Sequence, residues 1–203
     1  MFYHIAKAIG WILFKIFWRM EIIGSENIPK KGPLIIASNH ASYLDPLILG
    51  ISMKRNVHFI AKKEVFNNVF GNFICRKLNA FPVDREKIID MTALKTSIHI
   101  VQCGKVLGIF PEGRRSNNGK LQEFKLGIIK IAMKTGAPIL PVGIIGSNRI
   151  YPRGKIFPTL FRHKIIVRYG SPKYLESKNN RDKDYQKESL DMISEQIKTL
   201  TSR

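Results

Sequence analysis

A histidine and an aspartate stand five residues apart in NHASYLD (39–45), directly after the apolar run LIIAS (34–38). On one ideal helix such a pair would lie about 140° apart and could not meet. They can meet if His40 closes the strand-side turn and Asp45 opens the next helix. Asp45 then accepts a hydrogen bond from one ring nitrogen of His40. That fixes the tautomer, steadies the imidazolium once it forms, and leaves the other nitrogen as a general base. This is the His-Asp half of a serine triad. No GxSxG stands in the chain to supply a nucleophile. A substrate hydroxyl deprotonated by His40 would take its place, and the reaction would be direct acyl transfer to an alcohol. The plainer alternative makes Asp45 a cap or turn acid and His40 a packed core side chain.

Other apolar runs also end in charge. VHFIA (57–61) is followed by Lys62, Lys63 and Glu64, FPV (81–83) by Asp84 and Arg85, and VLGIF (106–110) by Pro111-Glu112-Gly113-Arg114-Arg115-Ser116. Arg85 and Arg115 could grip a phosphate through forked donors, with Lys62 adding a point charge. Backbone N–H groups around Gly113 could add an anion nest. Each of these cations could equally be a solvated surface charge. Glu112 would repel a phosphate, so it is expected to pair with an arginine, order the loop, or bond an acceptor hydroxyl.

These residues need a scaffold that brings strand ends together. The apolar runs 34–38, 57–61, 81–83, 106–110, 139–145 and 164–169 read as strands. Helical patterns lie between most of them, at about 44–53, 67–78, 86–103 and 125–135. Strands that are apolar on both faces and alternate with helices predict an α/β fold with a mostly parallel central sheet flanked by helices. The α/β domain is expected over 22–203, with a C-terminal helix from about 182. In open α/β sheets ligands bind beyond the carboxyl ends of the strands, where the charged residues above would gather. The irregular stretch 146–164 is expected as a surface loop or an excursion beside the site.

Residues 1–21 form a separate amphipathic unit. The longest uncharged stretch, between Lys7 and Lys15, is seven residues, against about twenty needed to span a bilayer. On a helix, His4, Lys7, Lys15 and Arg19 share one side, with Trp11 and Trp18 among them and Phe14 and Phe17 at the flank. Ile5, Ile9, Ile12, Leu13 and Ile16 share the other. A basic face with aromatic borders predicts a helix lying in a membrane interface, with Trp at headgroup level. The alternative is a helix packed on the protein's own core.

The 203 residues carry 34 Lys and Arg against 15 Asp and Glu, a net charge of +19. Such an excess suits an anionic partner: an anionic membrane surface, nucleic acid, or an acidic protein or substrate. There is no zinc-finger spacing, RNP-like motif or basic zipper, so no nucleic-acid partner is expected. Cys75 and Cys103 each fall in a helical pattern and are expected as buried reduced thiols.

Four stretches taken in order resemble the glycerolipid acyltransferases, the family that includes bacterial 1-acyl-glycerol-3-phosphate acyltransferase. NHASYLD matches an NHxxxxD block, FPVDR a block ending in arginine, FPEGRRS a block usually written FPEGTRS, and APILPV a proline-containing block. FKLG (124–127) matches a further short stretch, and the resemblance covers about residues 22–146. It implies that His40 is the general base and Asp45 its orienting partner. It implies that Arg85, Glu112, Gly113 and Arg115, with Lys62, bind the glycerol phosphate of the acceptor. It further implies an acyl carrier protein or coenzyme A thioester as acyl donor, no metal or other cofactor, and a membrane lipid substrate. The expected reaction forms phosphatidate from 1-acyl-glycerol 3-phosphate, at the cytoplasmic face of the cell membrane with peripheral attachment. Arg114 departs from the usual threonine. The rival expectations are an acceptor such as glycerol 3-phosphate or another lysolipid, and a non-catalytic protein that binds anionic lipid.

Overall fold

Runs that are apolar on both faces become the inner strands of one sheet. The computed structural model describes residues 2–84, 90–151, 157–161, 163–176 and 182–202. Seven strands are present among them: β1 (Glu21–Ile23), β2 (Leu34–Ser38), β3 (Val57–Lys62), β4 (Ala80–Val83), β5 (Val106–Ile109), β6 (Ile139–Ile145) and β7 (Ile166–Tyr169). Their order is β1-β7-β6-β2-β5-β3-β4. The five strands from β6 to β4 are mutually parallel. β7 runs antiparallel to β6, and β1 pairs parallel with β7. The sheet is thus mostly parallel, as its apolar strands predict. β2 is buried along its whole length.

The helices are α1 (Phe2–Trp18), α2 (Asp45–Ser52), α3 (Val69–Lys77), α4 (Met91–Gln102), α5 (Gly127–Thr135), α6 (Ser147–Ile150) and α7 (Lys183–Thr201). α4 starts later than its pattern suggested because Asp90 caps it, accepting from the N–H groups of Thr92 and Ala93. α5 stops at Gly136, which takes the left-handed conformation at φ 67°. α1 and α2 cover one face of the sheet, over Leu34, Ile36, Leu140 and Val142. α4, α5 and α7 cover the other, over Ile35, Ala37, Leu107 and Ile139. α7 approaches closely where β6 has Gly143: a Cβ there would stand 2.8 Å from Leu200.

The orientation of α1 differs from the sequence expectation. Its aromatic side faces the protein. Phe14 and Trp18 are buried in the core, with Trp11 and Phe17 packed beside them, and the Trp18 indole donates to the Thr159 carbonyl at 2.7 Å. Gly10 lies against Ile51 of α2. Ile9, Ile12, Leu13 and Ile16 are exposed instead. The tryptophans therefore anchor the helix to its own domain and do not border it in a headgroup layer. Burying a side chain such as Phe14 contributes roughly 1.5–3 kcal/mol, no more than an Ile or Leu would, so the inward face is chosen by the contacts at Ile51 and Thr159. Among the described residues no helix is long and apolar enough to cross a membrane. Both cysteines are free; Cys75 is half-buried and Cys103 is exposed at the end of α4, not buried as expected.

Candidate active site

β2 delivers His40 to the carboxyl edge of the sheet, and α2 begins five residues later at Asp45. The pair meets. Nδ1 of His40 lies 2.9 Å from Oδ2 of Asp45, and Asp45 is fully buried. The same Oδ2 accepts the N–H groups of Ala41 and Ser42, each at 2.7 Å. Three donors on one oxygen fix the carboxylate and, through it, the imidazole. Since Nδ1 faces a carboxylate, Nε2 is the nitrogen left to exchange a proton. The imidazole also rests on Phe110, ring centroids 4.2 Å apart, and Phe110 stacks on Phe59 at 6.3 Å. Gly108 makes room for that stack, since a Cβ there would stand 2.5 Å from the Phe59 ring.

The loop after β5 is tied to the same residue. The His40 N–H donates to Oε1 of Glu112 at 2.7 Å, and the Ser116 N–H donates to the His40 carbonyl at 2.8 Å. The other Glu112 oxygen accepts the Gln122 N–H at 3.1 Å. Glu112 is only 4% exposed, and both its oxygens accept backbone N–H groups. It therefore orders the loop, one of the roles open to it from sequence, rather than reaching outward to an acceptor. Burial pushes its carboxyl up to about 7, against the lowering effect of the His40 and Gln122 N–H donors.

The remaining residues expected from sequence divide. Arg115 lies beside the dyad segment, its guanidinium carbon 3.3 Å from the centroid of the Tyr43 ring. Gly113 is needed for its left-handed φ of 69°. Its own N–H closes a turn onto the Phe110 carbonyl at 2.9 Å, so an anion nest around Gly113 would have to use neighbouring N–H groups. A Cβ at Gly113 would meet Cε of Lys125 at 3.1 Å, which brings the lysine of FKLG to the same loop. Lys62 pairs with Glu64 at 3.0 Å on the surface at the end of β3. Arg85 lies outside the described residues. Among the described residues no three His, Cys, Asp or Glu side chains converge as a metal site.

Residues 19–145 match the sequence model of a family described as Acyltransferase. The chain belongs to the acyltransferase family. A Borreliella burgdorferi protein named 1-acyl-sn-glycerol-3-phosphate acyltransferase is 36% identical over 140 residues, covering 68% of this chain and 56% of that protein. A Bacillus subtilis protein of the same name is 31% identical over 141 residues, covering 68% of this chain and 69% of that one. The chain thus spans little more than half of the Borreliella relative. The crystal structure of the 1-acyl-sn-glycerophosphate acyltransferase PlsC from Thermotoga maritima matches with a TM-score of 0.74 at 28% identity, over 99% of this chain and 81% of that chain.

Within this acyltransferase-family chain, sequence patterns left Asn39, Ser42 and Tyr43 without roles. Asn39 continues the β2–β6 ladder with its side chain: its amide donates to the Ile144 carbonyl at 2.9 Å and its oxygen accepts the Ile144 N–H at 2.8 Å. It holds the residue before His40 against β6. Its position one residue past a strand was the only sign of this in the sequence. Asn39→Ala strands two backbone groups of β6, at about 1–3 kcal/mol each. At about 2–4 °C per kcal/mol for a domain of this size, a thermal scan should show a melting temperature lower by at least several degrees. An unchanged melt would mean that the clamp is dispensable. Ser42 donates its hydroxyl to the Tyr151 carbonyl at 3.2 Å.

Proposed function

We propose that the chain transfers a fatty acyl group from an acyl thioester to the sn-2 hydroxyl of 1-acyl-glycerol 3-phosphate, giving phosphatidate. The observation that carries this reading is the His40–Asp45 contact of 2.9 Å at the carboxyl edge of the sheet, with Nε2 left for the substrate. The names of the relatives support the acceptor.

In the reaction, Nε2 of His40 takes the proton of the 2-hydroxyl as its oxygen attacks the thioester carbonyl. Asp45 stabilises the imidazolium across Nδ1. The tetrahedral intermediate collapses, the carbon–sulfur bond breaks, and the thiol leaves with the proton returned by His40. The products are the ester and the free thiol of the acyl carrier protein or coenzyme A. No further cofactor enters these steps. Arg115, held over the Tyr43 ring, presents its guanidinium donors to the acceptor phosphate. Lys125 stands at the same loop as a second cation, and Arg85 and Lys62 are further candidates. Glu112 and Gly113 act on the acceptor indirectly, by shaping the loop that carries Arg115.

The acceptor is a bilayer lipid, so the chain works at a membrane. Its exposed α1 stripe and its charge of +19 suit peripheral attachment to the anionic cytoplasmic face. The same charge suits an acidic acyl carrier protein.

The test is an acceptor panel with labelled acyl thioester, comparing 1-acyl-glycerol 3-phosphate, glycerol 3-phosphate and lysolipids without the phosphomonoester. Phosphatidate should dominate. Preference for another acceptor would replace this one, and absence of turnover with every acceptor would leave a lipid-binding protein. Arg115→Ala should raise the KM for the acceptor by roughly 10–100-fold, as loss of a charge-assisted hydrogen bond predicts, with kcat little changed. A fall in kcat at constant KM would remove Arg115 from phosphate binding.

A further inference from the structure

Two segments far apart in sequence expose large apolar side chains and touch at the end of α1. One is the exposed stripe of α1: Ile9, Ile12, Leu13 and Ile16. The other is the loop 157–161, where Phe157 is 79% exposed, Leu160 48% and Phe161 69%. Three large apolar side chains facing water within five residues are not what a surface loop needs.

The loop is fastened to the end of α1. The Phe161 N–H donates to the Phe17 carbonyl at 3.0 Å, the Ile165 N–H to the Trp18 carbonyl at 3.0 Å, and the rings of Phe17 and Phe161 lie 5.0 Å apart. Arg19 and Phe161, two of the three non-glycine residues with positive φ among the described residues, both sit at this junction. A bulky side chain in the left-handed region is strained, and such strain gathers where a surface has a task.

The junction also lies at the catalytic edge. β1, which follows α1, starts opposite Ile166, and Ile166 in turn pairs with Ile145 at the carboxyl end of β6. From the loop, the Thr159 N–H donates to the Ile150 carbonyl at 2.8 Å. The next residue, Tyr151, accepts from Ser42, and its ring lies 6.1 Å from that of Tyr43. A short path of bonded residues therefore joins the apolar loop to NHASYLD. Lys15 and Arg19 are exposed around the junction and supply a basic rim, while Lys164 is paired with Glu21 beside them.

We propose that the loop 157–161 is a second membrane-inserting element, which enters an anionic bilayer beside α1 and brings the lipid entrance up to Tyr43 and Arg115. The inference rests on the reading that α1 meets a bilayer. One helix lying on a membrane can still roll about its own axis; a second apolar contact beside it removes that freedom. The catalytic edge is then held against the lipid, and an acceptor need not cross water to reach His40.

The test uses the full chain and vesicles of phosphatidylcholine with phosphatidylglycerol. One variant carries Phe157→Ser, Leu160→Ser and Phe161→Ser together; another carries Ile9→Ser, Ile12→Ser and Ile16→Ser. Both should lower vesicle partition, the loop variant by about tenfold. The loop variant should keep its rate on a short-chain, monomeric 1-acyl-glycerol 3-phosphate and lose rate only on the vesicle-borne acceptor. In a Cys75→Ser, Cys103→Ser background, an environment-sensitive label at Leu160→Cys should shift to the blue and escape an aqueous quencher when vesicles are added. That label also decides the matter if the triple loop variant fails to fold. A label that stays quenchable while the α1 variant loses binding would overturn the loop inference and leave the α1 reading standing. If neither variant changes partition, both fall together.

Discussion

His40→Ala is expected to lower kcat by about 10²–10⁴-fold, the usual contribution of a positioned general base, while the protein stays folded. The fold should survive because Asp45 keeps two of its three donors. The N–H groups of Ala41 and Ser42 still reach Oδ2, so the deletion leaves no bare buried charge, the condition under which losing a partner is most damaging. The imidazole's packing on Phe110 is lost, at the modest cost of one partly exposed contact. The KM for the acceptor should change little, since the base moves a proton and does not hold the phosphate. The measurement is single-substrate kinetics with labelled acyl thioester in mixed micelles, beside a thermal scan of each protein. A variant as fast as the wild type would sink the assignment of the base, whatever the family.

Part of this site could be read before the structure. β2 and β6 span the residues their apolar runs marked, 34–38 and 139–145, because a strand buried on both faces has no other composition open to it. The meeting of His40 with Asp45 was legible too, since a strand end followed by a helix start permits only a short list of geometries. Three things were not. β1 is three residues long, and its pairing depends on β7, more than a hundred residues away. For α1, the aromatic and the aliphatic stripe are both apolar, so periodicity alone does not say which one turns inward. Contacts outside the helix decide it, with Gly10 admitting Ile51 and Thr159 receiving the Trp18 indole. Glu112 illustrates the third limit. Its place after β5 marked it as a site residue, but only the fold reveals that its oxygens point back to the N–H groups of His40 and Gln122. Position in a motif places a side chain at the site without giving its direction.

Asp45 allows charge and geometry to be separated. In many dyads an aspartate-to-asparagine change also inverts the tautomer of the histidine, because the amide can turn its nitrogen toward the ring. Here that rotation is opposed: the oxygen facing Nδ1 also accepts the N–H groups of Ala41 and Ser42, and an amide nitrogen in its place would confront both donors. The other carboxylate oxygen, Oδ1, is buried and takes no hydrogen bond among the described residues, so nitrogen in its place breaks no bond and costs only the burial of its own unpaired N–H groups. Asp45→Asn should therefore keep the fold and the tautomer and lose only the negative charge behind the imidazolium. Its kcat should fall by roughly 10–10³-fold, short of the loss from removing the base itself. Asp45→Ala removes the acceptor from three donors at once. At about 1–3 kcal/mol for each group left unsatisfied, it should lower the melting temperature sharply as well as stop turnover. Kinetics and thermal scans on the two variants read the difference. If Asp45→Asn melts as low as Asp45→Ala, the shared oxygen does not organise the turn. If Asp45→Asn turns over like the wild type, the charge of Asp45 has no part in the proton transfer, and His40 acts alone.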